Sequence, residues 1–139
     1  MQSTTLLLLA CQGVIPRFDY AIFADTGWEP PSVYRHLQRL EAIAADASIP
    51  VVRVSAGNIR RDALDENHRF ASMPLHVRKS DGSAGMARRQ CTNEYKVRLI
   101  KKEVRQLLGF PHPQRVPEDV HAEQAIGISV DEFQAAAGG

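Results

Sequence analysis

The sequence predicts an α/β fold, in which a parallel sheet is sandwiched by helices. Three observations support this prediction: helical and strand patterns alternate over the first 55 residues, the predicted strands are short apolar runs, and apolar residues recur at helical spacing between them. Strands that alternate with helices pair in parallel through right-handed crossovers. The chain opens directly on a helical pattern, so we expect the first strand of such a sheet to be missing.

The first half of the chain is divided by clear start and stop signals. Ser3, Thr4 or Thr5 is predicted to cap a first helix that runs to about Gln12 and stops at Gly13. The elements predicted next are a buried strand at Tyr20–Ala24, a helix opened by Pro30-Pro31-Ser32, and a strand at Pro50–Ser55 stopped by Gly57-Asn58. The second helix should bury an apolar face of Val33, Leu37, Leu40, Ile43, Ala44 and Ala47 and turn Arg35, Gln38 and Arg39 toward water.

The second half of the chain is less regular. The predicted elements are a short helix at Ile59–Asn67, a hairpin or lid formed by Leu75–Arg78 and the turn Asp81–Gly85, a long helix from Thr92 to Gly109, a last strand at Glu123–Ser129, and a helix at Asp131–Ala137. The long helix has an apolar face of Val97, Ile100, Val104, Leu107 and Leu108. Its other face carries Lys96, Arg98, Lys101, Lys102 and Arg105.

The composition is that of a globular protein with a single domain. The chain has 139 residues, of which 44% are apolar, and its net charge of +1 gives no overall attraction for nucleic acid or an acidic membrane. Two cysteines, Cys11 and Cys91, form no disulfide framework and fit a reducing cytoplasm. Leu6–Cys11 is superficially similar to a lipoprotein cleavage site, but no Lys or Arg precedes it, so we interpret it as a buried helix. No segment is long enough to span a membrane.

Two polar segments lie where an open α/β sheet binds its ligands, at strand ends and helix starts. Ser3 and Thr4 offer hydroxyls and backbone amides to an anion, although simple helix capping is the better explanation of these residues taken alone. Asp25, Thr26 and Gly27 follow a predicted buried strand directly. Their carboxylate could accept bonds from a ribose or hold a metal-bound phosphate, and the alternative is a tight turn between a strand and a helix.

A third polar segment precedes the long helix. Arg88, Arg89 and Lys96 form a concentrated cationic group near a helix start, which suits phosphate or sulfate, although a solvated basic face is the usual explanation of such runs. Cys91 is a candidate reactive thiol because helix starts and nearby cations stabilise a thiolate, and a small buried cysteine is the alternative. The five histidines show no zinc-like spacing, and two cysteines cannot supply four ligands, so we expect neither a metal nor an iron–sulfur cluster.

Three motifs in order resemble the PAPS reductase-like family of the PP-loop superfamily. Phe23–Pro30 is similar to the signature Phe-x-Asp-Thr-Gly-x-Glu-x-Pro of that family. Arg89–Val97 resembles its later Cys-x-x-x-x-Lys-Val segment, and Gly127–Glu132 resembles its Gly-Ile-Arg-x-Asp-Glu stretch. The match covers nearly the whole chain, and the chain resembles the short phage and bacterial members of unassigned substrate.

The resemblance implies a Rossmann-like fold of the adenine nucleotide alpha hydrolase-like type. In that family a loop after the first strand wraps the phosphates or sulfate of the nucleotide, and here only its tail, Gln2–Thr4, is present. The first strand and the glycines of the loop would precede Met1. The carboxy-terminal Glu-Cys-Gly-x-His segment of true PAPS reductases is not reached either. We therefore expect residues 1–139 to be one nucleotide-binding domain that is incomplete at both ends.

The resemblance also implies a function, the binding of ATP, PAPS or APS as ligand or substrate with no tightly bound cofactor. Nucleotide-binding residues would be Ser3, Thr4, Asp25, Thr26, Gly27, Arg88, Arg89 and Lys96, with Cys91 as a reactive thiol. An active member would be an oxidoreductase or transferase that takes sulfur from a sulfonucleotide, with a thiol reductant as partner. The alternatives are a PP-loop sulfurtransferase or adenylylating enzyme of nucleic-acid modification, and a non-catalytic nucleotide-binding fragment.

Overall fold

A computed structural model describes residues 2–65, 76–78, 84–86 and 93–127 of the chain. Its elements in order are α1 (Gln2–Cys11), β1 (Ala21–Asp25), α2 (Pro31–Asp46), β2 (Val51–Ser55), α3 (Ile59–Leu64), β3 (His76–Arg78), β4 (Ala84–Met86), a π-helical turn (Asn93–Val97) and α4 (Arg98–Leu107). This order confirms the predicted alternation of helix and strand up to the short helix after β2.

The chain divides into two compact units, which are described separately. Unit 1 consists of the described parts of Met1–Ala21, Pro31–Val52 and His121–Gly139. Unit 2 consists of the described parts of Ile22–Pro30 and Arg53–Val120. The first residues of β1 and β2 belong to unit 1, and the carboxyl ends of both strands belong to unit 2. That the chain folds as a single domain remains a prediction from the sequence.

The core of unit 1 lies between α1 and α2. Its buried members are Leu7, Ala10, Leu40, Ala44 and Ile49. Seven half-buried residues pack around them: Leu8, Cys11, Ile15, Phe18, Ala21, Ala47 and Val51. Because α1 is apolar on most of its surface, it can bury Leu7 and Ala10 while Leu8 and Cys11 pack at the edge of the same core. The interpretation of Leu6–Cys11 as part of a buried helix therefore agrees with the structure.

The end of α2 explains how Ile49 reaches this core. Ser48 has a positive φ of 56°, and its amide donates to the carbonyl of Ala45. The amide of Ile49 donates to the carbonyl of Ala44 at 2.8 Å. These are the two bonds of a Schellman motif, in which the residue after the left-handed position packs back against the last turn of the helix. The chain reversal thus directs Ile49, 1% exposed, against Ala44.

The strands β1 and β2 form a two-stranded parallel sheet. At their start, the amide of Ala21 donates to the carbonyl of Pro50 at 2.9 Å. Between them runs α2, which begins at Pro31 because proline is pre-organised for the first helical turn. The described part of the chain is therefore a mixed α/β protein with a small parallel sheet, as the sequence predicts at this coarser level.

The predicted hairpin in the middle of the chain is confirmed. The strands β3 and β4 pair in antiparallel register, with His76 opposite Met86, Val77 opposite Gly85 and Arg78 opposite Ala84. Most of the predicted turn at Asp81–Gly85 lies outside the described residues, as does Thr92, the predicted cap of the long helix. That helix is present as a π-helical turn followed by α4, and it ends at Leu107, two residues before Gly109.

Several details of the prediction are wrong. Ser3, Thr4 and Thr5 lie inside the first turn of α1 and therefore do not cap it, because the helix already includes Gln2. Ile43 is 44% exposed although it belongs to the predicted apolar face of α2, since only Leu37, Leu40 and Ala44 of that helix are buried.

The face assignments of the last helix are only partly correct. No residue of α4 is buried, and its predicted apolar residue Val97, in the preceding π-helical turn, is 38% exposed. Lys96, Arg98, Lys101 and Lys102 are exposed as predicted. Arg105 is half-buried instead, because its guanidinium donates to the carbonyl of Gln114.

The predicted last strand, Glu123–Ser129, is also wrong over its described part. Residues 123–127 are irregular and pair with no strand that the structure describes, and Ile126 is 68% exposed. A strand needs a neighbour for its amides and carbonyls, and local β-propensity does not provide one. The predicted helix at Asp131–Ala137 lies outside the described residues. None of the described helices has the length and apolarity needed to cross a membrane.

Candidate functional site

The loop that follows β1 is built from internal hydrogen bonds in unit 2. The Asp25 carboxylate accepts a bond at Oδ1 from the amide of Gly27 at 2.7 Å. Thr26 is 9% exposed, and its hydroxyl donates to Oε1 of Glu29 at 3.0 Å. The loop therefore carries two carboxylates, those of Asp25 and Glu29. The bond from the Gly27 amide to Asp25 fixes the direction of its backbone.

A second loop, which follows β2, closes against the first. Asn58 donates through Nδ2 to the carbonyl of Gly27 at 2.6 Å. Its Oδ1 accepts from the amides of Arg60 and Arg61 at 3.0 Å each, so the same side chain caps α3. The amide of Ile59 also donates to the carbonyl of Thr26 at 3.0 Å. One bond that the Asn58 side chain donates and one that the Ile59 amide donates thus join the two strand-end loops, and the two bonds that Asn58 accepts cap α3.

Gly27 is required at this junction for two reasons. Its φ is +71°, a left-handed conformation that side chains disfavour. A Cβ atom built on Gly27 would overlap the carbonyl oxygen of Gly57 and lie 2.9 Å from Cα of Asn58. The two loops approach each other backbone to backbone, and only glycine leaves room for this contact.

A buried tyrosine supports α3 from the π-helical turn. Tyr95 is 4% exposed, packs against Ile59 and donates its hydroxyl to Oδ2 of Asp62 at 2.6 Å. A hydrogen bond to a carboxylate is stronger than one between neutral groups, and this one joins segments 33 residues apart. Lys96, the next residue, is exposed. The bond thus holds the π-helical turn that precedes α4 against α3 within unit 2.

An exposed aromatic residue completes the loop after β1. Trp28 is 52% exposed, and the guanidinium carbon of Arg60 lies 5.7 Å from the centroid of its ring. This distance is within the range of a cation–π contact. The contact joins the first strand-end loop to α3 and places a cation and a large ring beside the Asp25–Gly27 turn.

The structure brings part of the predicted site together. Asp25, Thr26 and Gly27 form one hydrogen-bonded turn at the carboxyl end of β1, and Lys96 belongs to the same unit. Ser3 and Thr4 belong to unit 1, where the Thr4 hydroxyl lies 3.4 Å from Nε2 of His36. Arg88, Arg89 and Cys91 lie outside the described residues.

Gly127, the first residue of the third motif, contacts the start of the chain within unit 1. A Cβ atom built on Gly127 would overlap the amide nitrogen of Ser3 and lie 2.6 Å from the carbonyl carbon of Gln2. The backbone of Gly127 therefore lies directly against the first turn of α1. Gly127 and Ser3, which lie at opposite ends of the chain, are therefore neighbours in this unit.

Sequence reasoning missed the side chains that join the two strand-end loops. The pattern Gly57-Asn58 predicts only a strand stop, and no local pattern gives Arg60 or Asp62 a role. A signal for Asn58 was present, because an Asn directly before a helical pattern is a common N-cap. The contact partners of Asp62 and Arg60 are distant in sequence, so no local pattern identifies them.

Neither the potential metal ligands nor the open depression of unit 1 identifies a binding site in the described residues. In the described residues, no group of three or more His, Cys, Asp or Glu side chains could hold a metal ion. An open depression of about 440 Å³ lies in unit 1, away from the polar loops in sequence, and is lined by Glu41, Ala45, Ser48, Ile49, Pro50 and Val51. It is at the amino-terminal end of β2, whereas open α/β sheets bind ligands at the carboxyl ends of their strands.

Asn58 provides a test of how the two loops are joined. We expect Asn58→Ala to lower the free energy of unfolding by about 2 kcal/mol, because the cap of α3 is lost and the Gly27 carbonyl loses its donor. Asn58→Ser keeps a capping oxygen without the amide donor and should lose about 1 kcal/mol. Urea unfolding followed by Trp28 fluorescence measures both. Equal losses in the two variants would show that the cap bonds contribute nothing.

The fold and the site together define an α/β protein whose polar loops meet at the carboxyl ends of two parallel strands. Comparison of the chain with protein-family models, with curated proteins and with solved structures found no match.

Proposed function

We propose that this chain binds an adenine nucleotide in the manner of PAPS reductase-like proteins. The observation that carries the proposal is the hydrogen-bonded turn of Asp25, Thr26 and Gly27, joined to Asn58 at the carboxyl ends of β1 and β2. In open α/β sheets this edge is where nucleotides bind. A turn already ordered by its own side chains loses little conformational entropy when a ligand binds to it.

The proposed roles follow from the chemistry of the side chains. The carboxylate of Asp25 accepts hydrogen bonds from the ribose hydroxyls, and Gly27 lets the backbone approach the adenosine. Lys96, which is exposed, contributes positive charge toward the anionic group. Ser3, Thr4, Arg88 and Arg89 are assigned to the same anionic group by the family resemblance. Cys91 is the candidate reactive thiol because it lies next to these arginines at a predicted helix start.

If the chain is active, the reaction proposed is a reduction or transfer of sulfur from a sulfonucleotide such as PAPS or APS. A thiol reductant is then the second substrate. Catalysis would consist of positioning the nucleotide and stabilising the charge that develops on the leaving phosphate, for which cations near the anionic group are suited. No tightly bound cofactor is part of this proposal.

Calorimetry with ATP, PAPS and APS tests the proposal directly. We expect at least one nucleotide to bind, and Asp25→Ala to weaken that binding by about tenfold or more, because a charge-assisted bond to the ribose contributes about 1.5–3 kcal/mol. Asp119→Ala, which removes an exposed carboxylate of the same unit, is the matched control and should leave binding unchanged. Circular dichroism checks that all three chains are equally folded. Failure of all three nucleotides to bind to the folded chain would refute the proposal.

A second candidate function is supported by the exposed cations. Lys96, Arg98, Lys101 and Lys102 are all exposed on the π-helical turn and α4. This surface suits a PP-loop enzyme that modifies nucleic acid, although exposed cations on a helix are also the ordinary solvated face. Binding of RNA or DNA that weakens steeply with salt would favour this candidate. A non-catalytic nucleotide-binding fragment is the third, and it would bind nucleotide without turning over PAPS or APS.

A further inference from the structure

Trp28 is exposed beside the proposed nucleotide site, and its contact with Arg60 leaves about half of its surface uncovered. It is the only tryptophan in the sequence. Of its surface, 52% is accessible to solvent, although Gly27 and Glu29 on either side of it are half-buried. Large aromatic side chains contribute most when they are covered, so an exposed ring next to an ordered polar turn indicates a contact surface for a ligand.

The surroundings of the ring restrain it. Gly27, which precedes Trp28, is held by two hydrogen bonds. Its amide donates to the Asp25 carboxylate, and its carbonyl accepts from the Asn58 side chain. The guanidinium of Arg60 lies over the ring, 5.7 Å from its centroid. The loop backbone and the cation together limit the orientations of the indole, and a ring that is already oriented loses less entropy when a flat ligand stacks on it.

We propose that Trp28 is the stacking surface for the base of the bound nucleotide, with Arg60 as the residue that positions the ring. This inference rests on the proposed nucleotide binding and deepens it by naming the residue that contacts the base. Aromatic side chains bind nucleobases through their faces, and a purine covers more of an indole than a pyrimidine does. Asp25 is in the same turn, so one loop would contact both the base and the ribose of an adenine nucleotide.

Fluorescence of the single tryptophan tests this inference without a label. We expect AMP to change the emission of Trp28 on binding, whereas ribose 5-phosphate, which lacks the base, leaves the emission unchanged. Trp28→Leu should weaken AMP binding in calorimetry about tenfold, a typical contribution of one stacked base. Trp28→Phe keeps a ring and should weaken it less than about threefold. Tyr20→Leu, which removes an aromatic ring 47% exposed in unit 1, is the control and should leave AMP affinity unchanged.

The outcomes separate this inference from the function on which it rests. If AMP binds by calorimetry while the emission stays constant and Trp28→Leu binds as tightly as the unchanged chain, the stacking role is overturned and nucleotide binding stands. If AMP, ATP, PAPS and APS all fail to bind to the folded chain, both proposals are overturned. Because Trp28 is half exposed, the Trp28→Leu variant should stay folded. Circular dichroism of this variant, compared with that of Trp28→Phe, checks this.

Discussion

Replacing Gly27 with alanine should lower the free energy of unfolding by about 3 kcal/mol. Two effects add: a left-handed φ costs a residue with a side chain about 1 kcal/mol, and overpacking costs about 1–3 kcal/mol more. The second effect arises because the new methyl group would overlap the carbonyl oxygen of Gly57, a backbone atom that cannot rotate away as a side chain can. The two strand-end loops would have to separate, and the bond from Asn58 to the Gly27 carbonyl would stretch.

Gly109→Ala is the matched control for this prediction. Gly109 lies in the same unit, has a similar φ of +84°, and has no atom within 4 Å of the position of a Cβ. Its replacement should cost only the backbone effect, about 1 kcal/mol. Urea unfolding followed by Trp28 fluorescence and by circular dichroism measures both variants. Losses of equal size would mean that the two loops do not approach each other as closely as the structure places them.

Gly27→Ala should also affect ligand binding more than stability alone explains. The Asp25–Gly27 turn is the proposed contact with the adenosine, and a shift of the loops by a fraction of an ångström would move the Asp25 carboxylate away from its bond with the Gly27 amide. Nucleotide affinity, measured well below the unfolding transition, should therefore fall in Gly27→Ala and remain unchanged in Gly109→Ala.

Replacing Ile49 with alanine should also lower the free energy of unfolding by about 3 kcal/mol. Ile49 is 1% exposed and lies in the core of unit 1 with Leu7, Leu40 and Ala44. Removing a large buried aliphatic group costs about 2–5 kcal/mol, because its transfer from water is lost and a cavity remains. Thermal or urea unfolding followed by circular dichroism measures the loss, since α1 and α2 supply much of the helical signal.

Ile43→Ala is the control, because it removes the same atoms from a partly exposed position. Ile43 lies on α2 and is 44% exposed, and alanine has the higher helix propensity. We expect a loss of less than about 1 kcal/mol. If Ile43→Ala costs more than Ile49→Ala, the result would mean that Ile43 is buried, as the apolar spacing of α2 predicts, and that Ile49 is not the core residue described above.

The comparison of these two isoleucines shows where sequence reasoning about the core reaches its limit. Apolar spacing along α2 identifies Leu37, Leu40 and Ala44 correctly, because one face of a helix recurs every three to four residues. The same spacing includes Ile43, which lies at the edge of that face and stays exposed. Ile49 lies beyond the helix, and only the chain reversal at Ser48 directs it into the core.

The last predicted strand fails for a related reason. The apolar and β-branched residues near Ile126 favour an extended chain, but a strand also requires a neighbour with free amides and carbonyls. In the described part of the chain, residues 123–127 have no such neighbour, and Gly127 lies instead against the backbone of Gln2 and Ser3. Pairing is a property of two distant segments, and it cannot be read from one of them.

The candidate site was predictable in part. Asp25, Thr26 and Gly27 directly follow the apolar run Tyr20–Ala24, and polar residues at the end of a predicted strand form a local pattern. That Asn58 would bond to Gly27 was not predictable, because the two residues are 31 positions apart. The same is true of Tyr95 and Asp62, and of the placement of Trp28 against Arg60.

The sequence by itself determined the order of helices and strands up to Leu64, the helix stop at Gly13, the hairpin of β3 and β4, and the position of the polar turn after β1. These features depend on neighbouring residues, through helical periodicity, capping and the restricted backbone of proline and glycine. Only the tertiary structure decided which apolar residues are buried, which loops meet and which side chains join them. Those outcomes depend on contacts between segments far apart in the chain, where shape and hydrogen-bond geometry select one arrangement among several that local pattern allows.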